Sequence, residues 1–214
     1  MRELVRALGR DRATVVGHDW GGGIAWMSAH LEAEVVERLV VLNCPHPAAL
    51  GRELLRNGKQ LSRSRYMLFF QLPRLPERAL TRNRAEAVAR ALTGGSPPGA
   101  WPPEEVERYR EAFLAPGAAS AALGYYRAAF RRPLATHRAA RKRPITAPTL
   151  VLWGVRDRFL GEELIRPHRL RPWFAPGNSP DVRRIEGAGH FVQNDMPDRV
   201  NAELLAWLGS TSGG

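Results

Sequence analysis

The stretch Val15-Val16-Gly17-His18-Asp19-Trp20-Gly21-Gly22-Gly23 decides how this chain folds. Two β-branched residues run into a glycine, a polar pair and three further glycines. The apolar helical pattern Ile24-Ala25-Trp26-Met27 follows. The spacing predicts a strand, a very tight turn and a helix. The small residues at 17 and 21 let strand and helix approach until the central side chain, Asp19, is lifted clear of both. The pattern is Gly-x-Asp-x-Gly, the turn that presents a nucleophile, with Asp where Ser often stands. Such a turn is strained, and strain of this kind accompanies function. Asp19 also falls at the positive end of a helix dipole, which favours its ionised form. The glycines do not have the spacing of a dinucleotide fingerprint, and no Gly-Lys-Ser/Thr ending follows.

Around this stretch, strand and helix signals alternate at both ends of the chain. Residues 2 to 9 place Leu4, Val5 and Leu8 on one helical face, and Gly9 ends it. A buried strand is expected from Ala13 to Gly17, then a helix over about 21 to 32 that packs Ile24, Trp26 and Met27. Leu39-Val40-Val41-Leu42 is a continuous apolar strand of the kind found in parallel sheets covered on both faces, and Asn43-Cys44-Pro45-His46-Pro47 breaks it. Strand signals return at Thr149–Gly154 and Val182–Ile185, with helices expected near 162–170 and over 197–208. The last of these carries Val200, Leu204, Leu205 and Leu208. Between them, residues 48–144 are helical, arginine-rich and broken by Pro and Gly, with no strand. The chain therefore reads as an α/β protein: a core of 1–47 and 145–214, with the helical block 48–144 inserted over the C-terminal edge of the strands, where sites form in such sheets.

Composition narrows the class. At 214 residues with six Trp, the chain can bury a real core. Its single cysteine, Cys44, excludes an internal disulfide framework and fits a reducing, cytoplasmic compartment. Cys44 follows a buried strand and reads as a packing residue. No apolar run reaches membrane-spanning length, and Met1-Arg2-Glu3-Leu4-Val5 does not read as a signal peptide. The net charge is +11. The excess is arginine spread through helices, with one cluster at Arg138, Arg141, Lys142 and Arg143, and no aromatic interleaving. It reads as a solvated surface and not as a nucleic-acid or membrane site.

Three polar residues fall at the C-terminal ends of three predicted strands: Asp19, Asp157 and His190. A nucleophile, an acid and a base in that order is the α/β-hydrolase arrangement. Val15–Gly22 resembles the nucleophile motif of the epoxide hydrolases of that superfamily. Leu152-Trp153-Gly154-Val155-Arg156-Asp157 resembles their acid segment, and Gly187-Ala188-Gly189-His190-Phe191-Val192-Gln193 their histidine segment. Within the helical block, Arg65–Pro73 and Leu123–Arg127 are similar to the two cap segments that carry ring-opening tyrosines. The resemblance implies an α/β-hydrolase core of mostly parallel sheet, four strands present, with an inserted helical cap.

It also implies a chemistry. Asp19 attacks an epoxide carbon and forms an ester. Tyr66 and Tyr126 protonate the epoxide oxygen. His190, oriented by Asp157, activates water. Trp20 supplies a backbone oxyanion donor, and Trp20, Phe70 and Phe191 line the substrate site. Tyr125 is a packing neighbour, and Gly124 stands where the family usually has Asn. The implied substrate is a small-molecule epoxide, with no metal or organic cofactor and no nucleic-acid or membrane partner. The dehalogenase branch shares Asp, acid and His but holds halide with Trp or similar donors and needs no pair of cap tyrosines.

In the family, four strands precede the elbow strand, and a His-Gly-aromatic-Pro loop supplies a second oxyanion donor. Here one short helix precedes it and that string does not occur. The core is therefore expected to be N-terminally truncated, with the elbow strand as an apolar sheet edge. Three outcomes follow: an epoxide hydrolase whose true start lies upstream, the same chemistry on halogenated substrates, or an inactive remnant.

Overall fold

A computed structural model describes residues 1–131 and 142–210. Arg138 and Arg141 of the predicted basic cluster lie outside the described residues. Four strands form one parallel sheet in the order β1-β2-β3-β4: β1 Ala13–His18, β2 Val36–Leu42, β3 Thr149–Gly154 and β4 Asp181–Ile185. Helix α1, Arg2–Ala7, precedes β1, and α2, Trp20–Leu31, joins β1 to β2. Among the described residues, no strand occurs between β2 and β3. That stretch runs through short helices at Pro47–Arg56, Gly58–Arg63 and Arg65–Phe69 into longer ones at Leu75–Thr93, Pro103–Leu114 and Ala118–Arg131. The Leu75–Thr93 helix is broken by a left-handed turn at Asn83, Arg84 and Ala85.

Parallel register sorts the apolar runs onto the two faces. Val40 pairs with Leu150 and Leu42 with Leu152. These side chains pack with Ile185, Val200 and Trp207 beneath the C-terminal helix Pro197–Ser210. Leu39, Val41, Val151 and Trp153 face the other way, onto Trp26, Ile165 and Trp173. Two-sided burial is why β2 and β3 read as unbroken apolar runs.

The structure departs from the sequence reading in three places. The helix expected near 162–170 is divided into a 3₁₀ turn at Glu162–Ile165, one α-turn at Pro167–Leu170 and a second 3₁₀ turn at Arg171–Trp173. Pro167 forces Arg166 into extended backbone (ψ 144°), and Pro172 removes another donor. Second, the expected apolar face of α1 is not buried as a face: Val5 is, but Leu4 and Leu8 are exposed. Third, Ile24 of α2 and Leu205 of the last helix also face outward. Val16, on the strand that is the edge of the described sheet, is exposed as well.

A pair of buried histidines ties the helical stretch to the core. His46 caps the Pro47–Arg56 helix: its Nδ1 accepts from the Ala48 N–H at 3.2 Å. Its proton is therefore on Nε2, which donates to His30 Nε2 at 2.9 Å. His30 Nδ1 in turn donates to the Arg143 carbonyl at 2.6 Å. His46 stacks on Trp173 with ring centroids 4.3 Å apart. With His46 Nδ1 and His30 Nε2 both accepting, each ring is neutral in this arrangement. Burial pushes the His30 pKa below its ordinary value. An unfolded chain takes up a proton below about pH 6.5 that the folded chain resists, so stability falls as pH drops below that point. His30→Ala removes the buried ring that accepts from His46 and donates to the Arg143 carbonyl, and is expected to cost on the order of 1–3 kcal/mol near neutral pH. It also flattens the acid-side loss, because the resisting ring is gone. Urea midpoints at pH 7.5 and 5.5 measure both effects.

Candidate active site

The elbow is built by close packing. A Cβ placed on Gly17 would lie 2.3 Å from the Gly21 carbonyl oxygen, and one on Gly22 would lie 2.5 Å from the Cys44 Cβ. The glycines that the approach requires are thus 17 and 22. A Cβ on Gly21 meets nothing within 4 Å, which corrects the reading that 17 and 21 form the pair. Between them, Asp19 is held at φ 49°, ψ −120°, in the strained region expected of such a turn. Its side chain makes no capping bond to α2 and is 42% exposed, free to meet a substrate. The first N–H groups of α2, beginning at Trp20, have no intrahelical acceptor and can receive negative charge.

His190 Nε2 stands 3.8 Å from Asp19 Oδ1. That is beyond hydrogen-bond reach, so the nucleophile and the base do not neutralise each other. The other ring nitrogen, Nδ1, donates to Asp157 Oδ2 at 2.8 Å. Asp157 is itself fully engaged. Its Oδ1 accepts from the Phe159 and Leu160 N–H groups at 2.8 and 3.0 Å, and Oδ2 also accepts from Asn43 Nδ2 at 2.8 Å. The carboxylate is therefore aimed before any substrate arrives. Burial disfavours a charged His190 ring, but the Asp157 hydrogen bond and the charges of Asp157, Asp19 and Asp195 outweigh it, and the pKa lies above the ordinary value.

Aromatic side chains wall the site. Tyr126 stands edge-on to Trp20 at 4.9 Å and to Phe70 at 4.9 Å, and Tyr66 lies 5.9 Å from Tyr126 between ring centroids. Burial, then Tyr126 and the charge of Asp19, push the Tyr66 hydroxyl far above its ordinary pKa. Burial and Asp19 push Tyr126 up as well. Both phenols stay protonated and able to donate. Phe191 packs on His190 at 5.0 Å and on Trp101 at 5.4 Å. Tyr125 is exposed, in keeping with a neighbour's role, and Ala118–Arg131 runs on as a helix through Gly124. The structure thus brings together Asp19, Trp20, Tyr66, Phe70, Tyr126, Asp157, His190 and Phe191. Cys44 is buried beneath the elbow, and burial pushes its thiol pKa well up, so it packs as a neutral group.

Sequence reasoning missed three members. Asn43, wholly buried at φ 38°, bonds both Asp157 and the Gly154 N–H. The available signal was an Asn directly after a strand, a residue that tolerates left-handed backbone. The His18 Nε2–H donates to the His190 carbonyl at 2.9 Å, and burial, then the neighbouring His190, lower its pKa and keep it neutral. Phe159 lies 5.7 Å from Tyr66 and 5.3 Å from His190.

Residues 1–203 match the family model described as "Alpha/beta hydrolase family". The chain belongs to the alpha/beta hydrolase family. This alpha/beta hydrolase is 32% identical over 216 residues to Epoxide hydrolase 4 of Mus musculus, covering 97% of this chain and 57% of that protein. It is 32% identical over 207 residues to the AB hydrolase superfamily protein YfhM of Bacillus subtilis, covering 96% and 68%. It superposes on the crystal structure of Bacillus megaterium epoxide hydrolase in complex with an inhibitor with a TM-score of 0.81. That match has 27% identity and covers 97% of this chain and 73% of the other. The chain thus spans little more than half the length of the mouse relative. No helix among the described residues is long and apolar enough to cross a membrane.

Proposed function

We propose that this alpha/beta hydrolase converts epoxides to vicinal diols through an ester on Asp19, with the helices of 48–144 serving as a cap. The observation that carries the reading is the pair Tyr66 and Tyr126, held protonated above an exposed Asp19 whose partner base, His190, is already aimed by Asp157. One Asp19 carboxylate oxygen attacks an epoxide carbon, and that carbon's bond to the epoxide oxygen breaks. A tyrosine hydroxyl gives its proton to the leaving oxygen, leaving a hydroxyalkyl ester. His190 Nε2 then takes a proton from water as the water oxygen adds to the Asp19 carbonyl carbon. The oxyanion faces the free N–H groups at the start of α2. Collapse expels the diol, which takes the imidazolium proton. The proton left on the regenerated Asp19 carboxyl returns to the tyrosinate, and the cycle closes.

A second reading, hydrolytic dehalogenation on the same Asp19, is favoured by one observation. The buried Trp20 indole N–H is directed at the Tyr126 hydroxyl, within the site, and could donate to halide there instead. The two readings separate on the tyrosines. Tyr66→Phe combined with Tyr126→Phe is expected to lower diol formation from a terminal aryl epoxide by roughly 10²–10⁴-fold. Halide release from a matched haloalkane that survives the double substitution, in a protein that makes no diol, would reverse the choice.

A further inference from the structure

The geometry points to Asp195 as a positioning residue for the base: through the Gly189 peptide it fixes the loop that carries His190, and its charge stabilises the imidazolium formed there. The inference rests on His190 acting as the base of the proposed reaction. Asp195 closes the short helix Val192–Asp195 and is 4% exposed. Its Oδ2 accepts from the N–H of Gly189, the residue directly before His190, at 2.6 Å. Its Oδ1 is buried and has no hydrogen-bond partner among the described residues.

The loop is confined on its other sides too. A Cβ on Gly154 would strike the Gly189 carbonyl oxygen at 2.1 Å, and one on Gly189 would lie 3.0 Å from the Gly95 carbonyl oxygen and 3.2 Å from Asp195 Oδ2. The loop is thus gripped between β3, the 94–95 turn of the helical stretch and Asp195.

A buried carboxylate with one oxygen unpaired is costly while its neighbourhood is neutral. The cost falls when positive charge forms close by, and the adjacent His190 ring is where the reaction places a proton. The titratable groups facing that ring are Asp157 from the loop after β3, Asp19 and His18 from the elbow, and Asp195 from the Val192–Asp195 helix. Asp157 aligns the ring, and Asp195 adds charge without competing for Nδ1.

The test compares Asp195→Asn, which keeps an oxygen for the Gly189 N–H, with Asp195→Glu, which keeps the charge. The first readout is the NMR titration of the His190 imidazole in the full chain without substrate. The Nδ1–H resonance of the Asp157 bond serves as the check that the loop is in place. The midpoint is expected to fall by roughly half a pH unit or more in Asp195→Asn and to return toward the parent value in Asp195→Glu. An unchanged midpoint with the Nδ1–H resonance intact overturns the inference. So does a fall that accompanies loss of that resonance, since the residue would then act on structure alone. The second readout is the Asp19 ester by quenched intact mass. In Asp195→Asn the ester is expected to form at the parent rate and persist several-fold longer, because only the second step makes imidazolium. A shifted midpoint in a protein that turns over no epoxide supports this inference while overturning the epoxide reading.

Discussion

Asp19→Asn is expected to reduce diol formation on the order of 10⁴-fold or more while leaving the fold as it is. The amide is a far poorer nucleophile than a carboxylate, so the first covalent step has no route. The fold survives for local reasons. The Asp19 side chain caps nothing, so no backbone donor of α2 loses a partner. Its positive φ of 49° is one that Asn tolerates better than most residues. The negative charge facing Tyr66, Tyr126 and His190 disappears, and each of those groups titrates lower as a result. Circular dichroism and the urea midpoint should match the parent closely, and product analysis on a terminal aryl epoxide reads the activity. Diol formation at a rate close to the parent's would remove Asp19 from the chemistry and with it the proposed reaction.

The catalytic line was legible from sequence because each member stands where a short, strongly patterned segment ends. Val15-Val16 before Gly17, Leu150–Gly154 before Asp157 and Val182–Ile185 before His190 belong to strands that carry β-branched or apolar residues, and of these β3 is buried on both faces. Side chains at their C-terminal ends necessarily share one edge of a parallel sheet. The supporting residues were hidden for the opposite reason. Asn43, His18 and Asp195 act through contacts 114, 172 and 6 residues away in sequence. Apart from the Asn that directly follows β2, nothing in their own neighbourhoods marks them as members of the site. The His30–His46 pair was invisible likewise, since the two rings meet only after α2 and β2 have packed. Errors fell where local periodicity competes with proline or with the edge of a sheet. Residues 162–170 have helical composition, but Pro167 divides them. Leu4, Leu8 and Ile24 have the right spacing, but no described element covers them.

His190→Gln separates the two halves of the proposed reaction. Without a base the ester on Asp19 still forms, because the first step needs only the carboxylate and the tyrosines. Its hydrolysis is expected to slow by roughly 10²–10⁴-fold, the usual worth of a positioned general base. The protein should therefore accumulate as a covalent adduct, heavier by the mass of one intact epoxide, after a single stoichiometric addition. Glutamine suits the test because it fills much of the space among His18, Phe159 and Phe191 and can still donate to Asp157. Asp157 keeps its other donors, Asn43, Phe159 and Leu160, so its buried charge is not left unpaired. Adding Asp19→Asn to His190→Gln must abolish the adduct, which assigns the ester to that side chain. If His190→Gln remains unmodified under conditions where the parent makes diol, the reaction does not pass through an ester. His190 would then activate water directly against the epoxide carbon, and Asp19 would be left to hold the substrate.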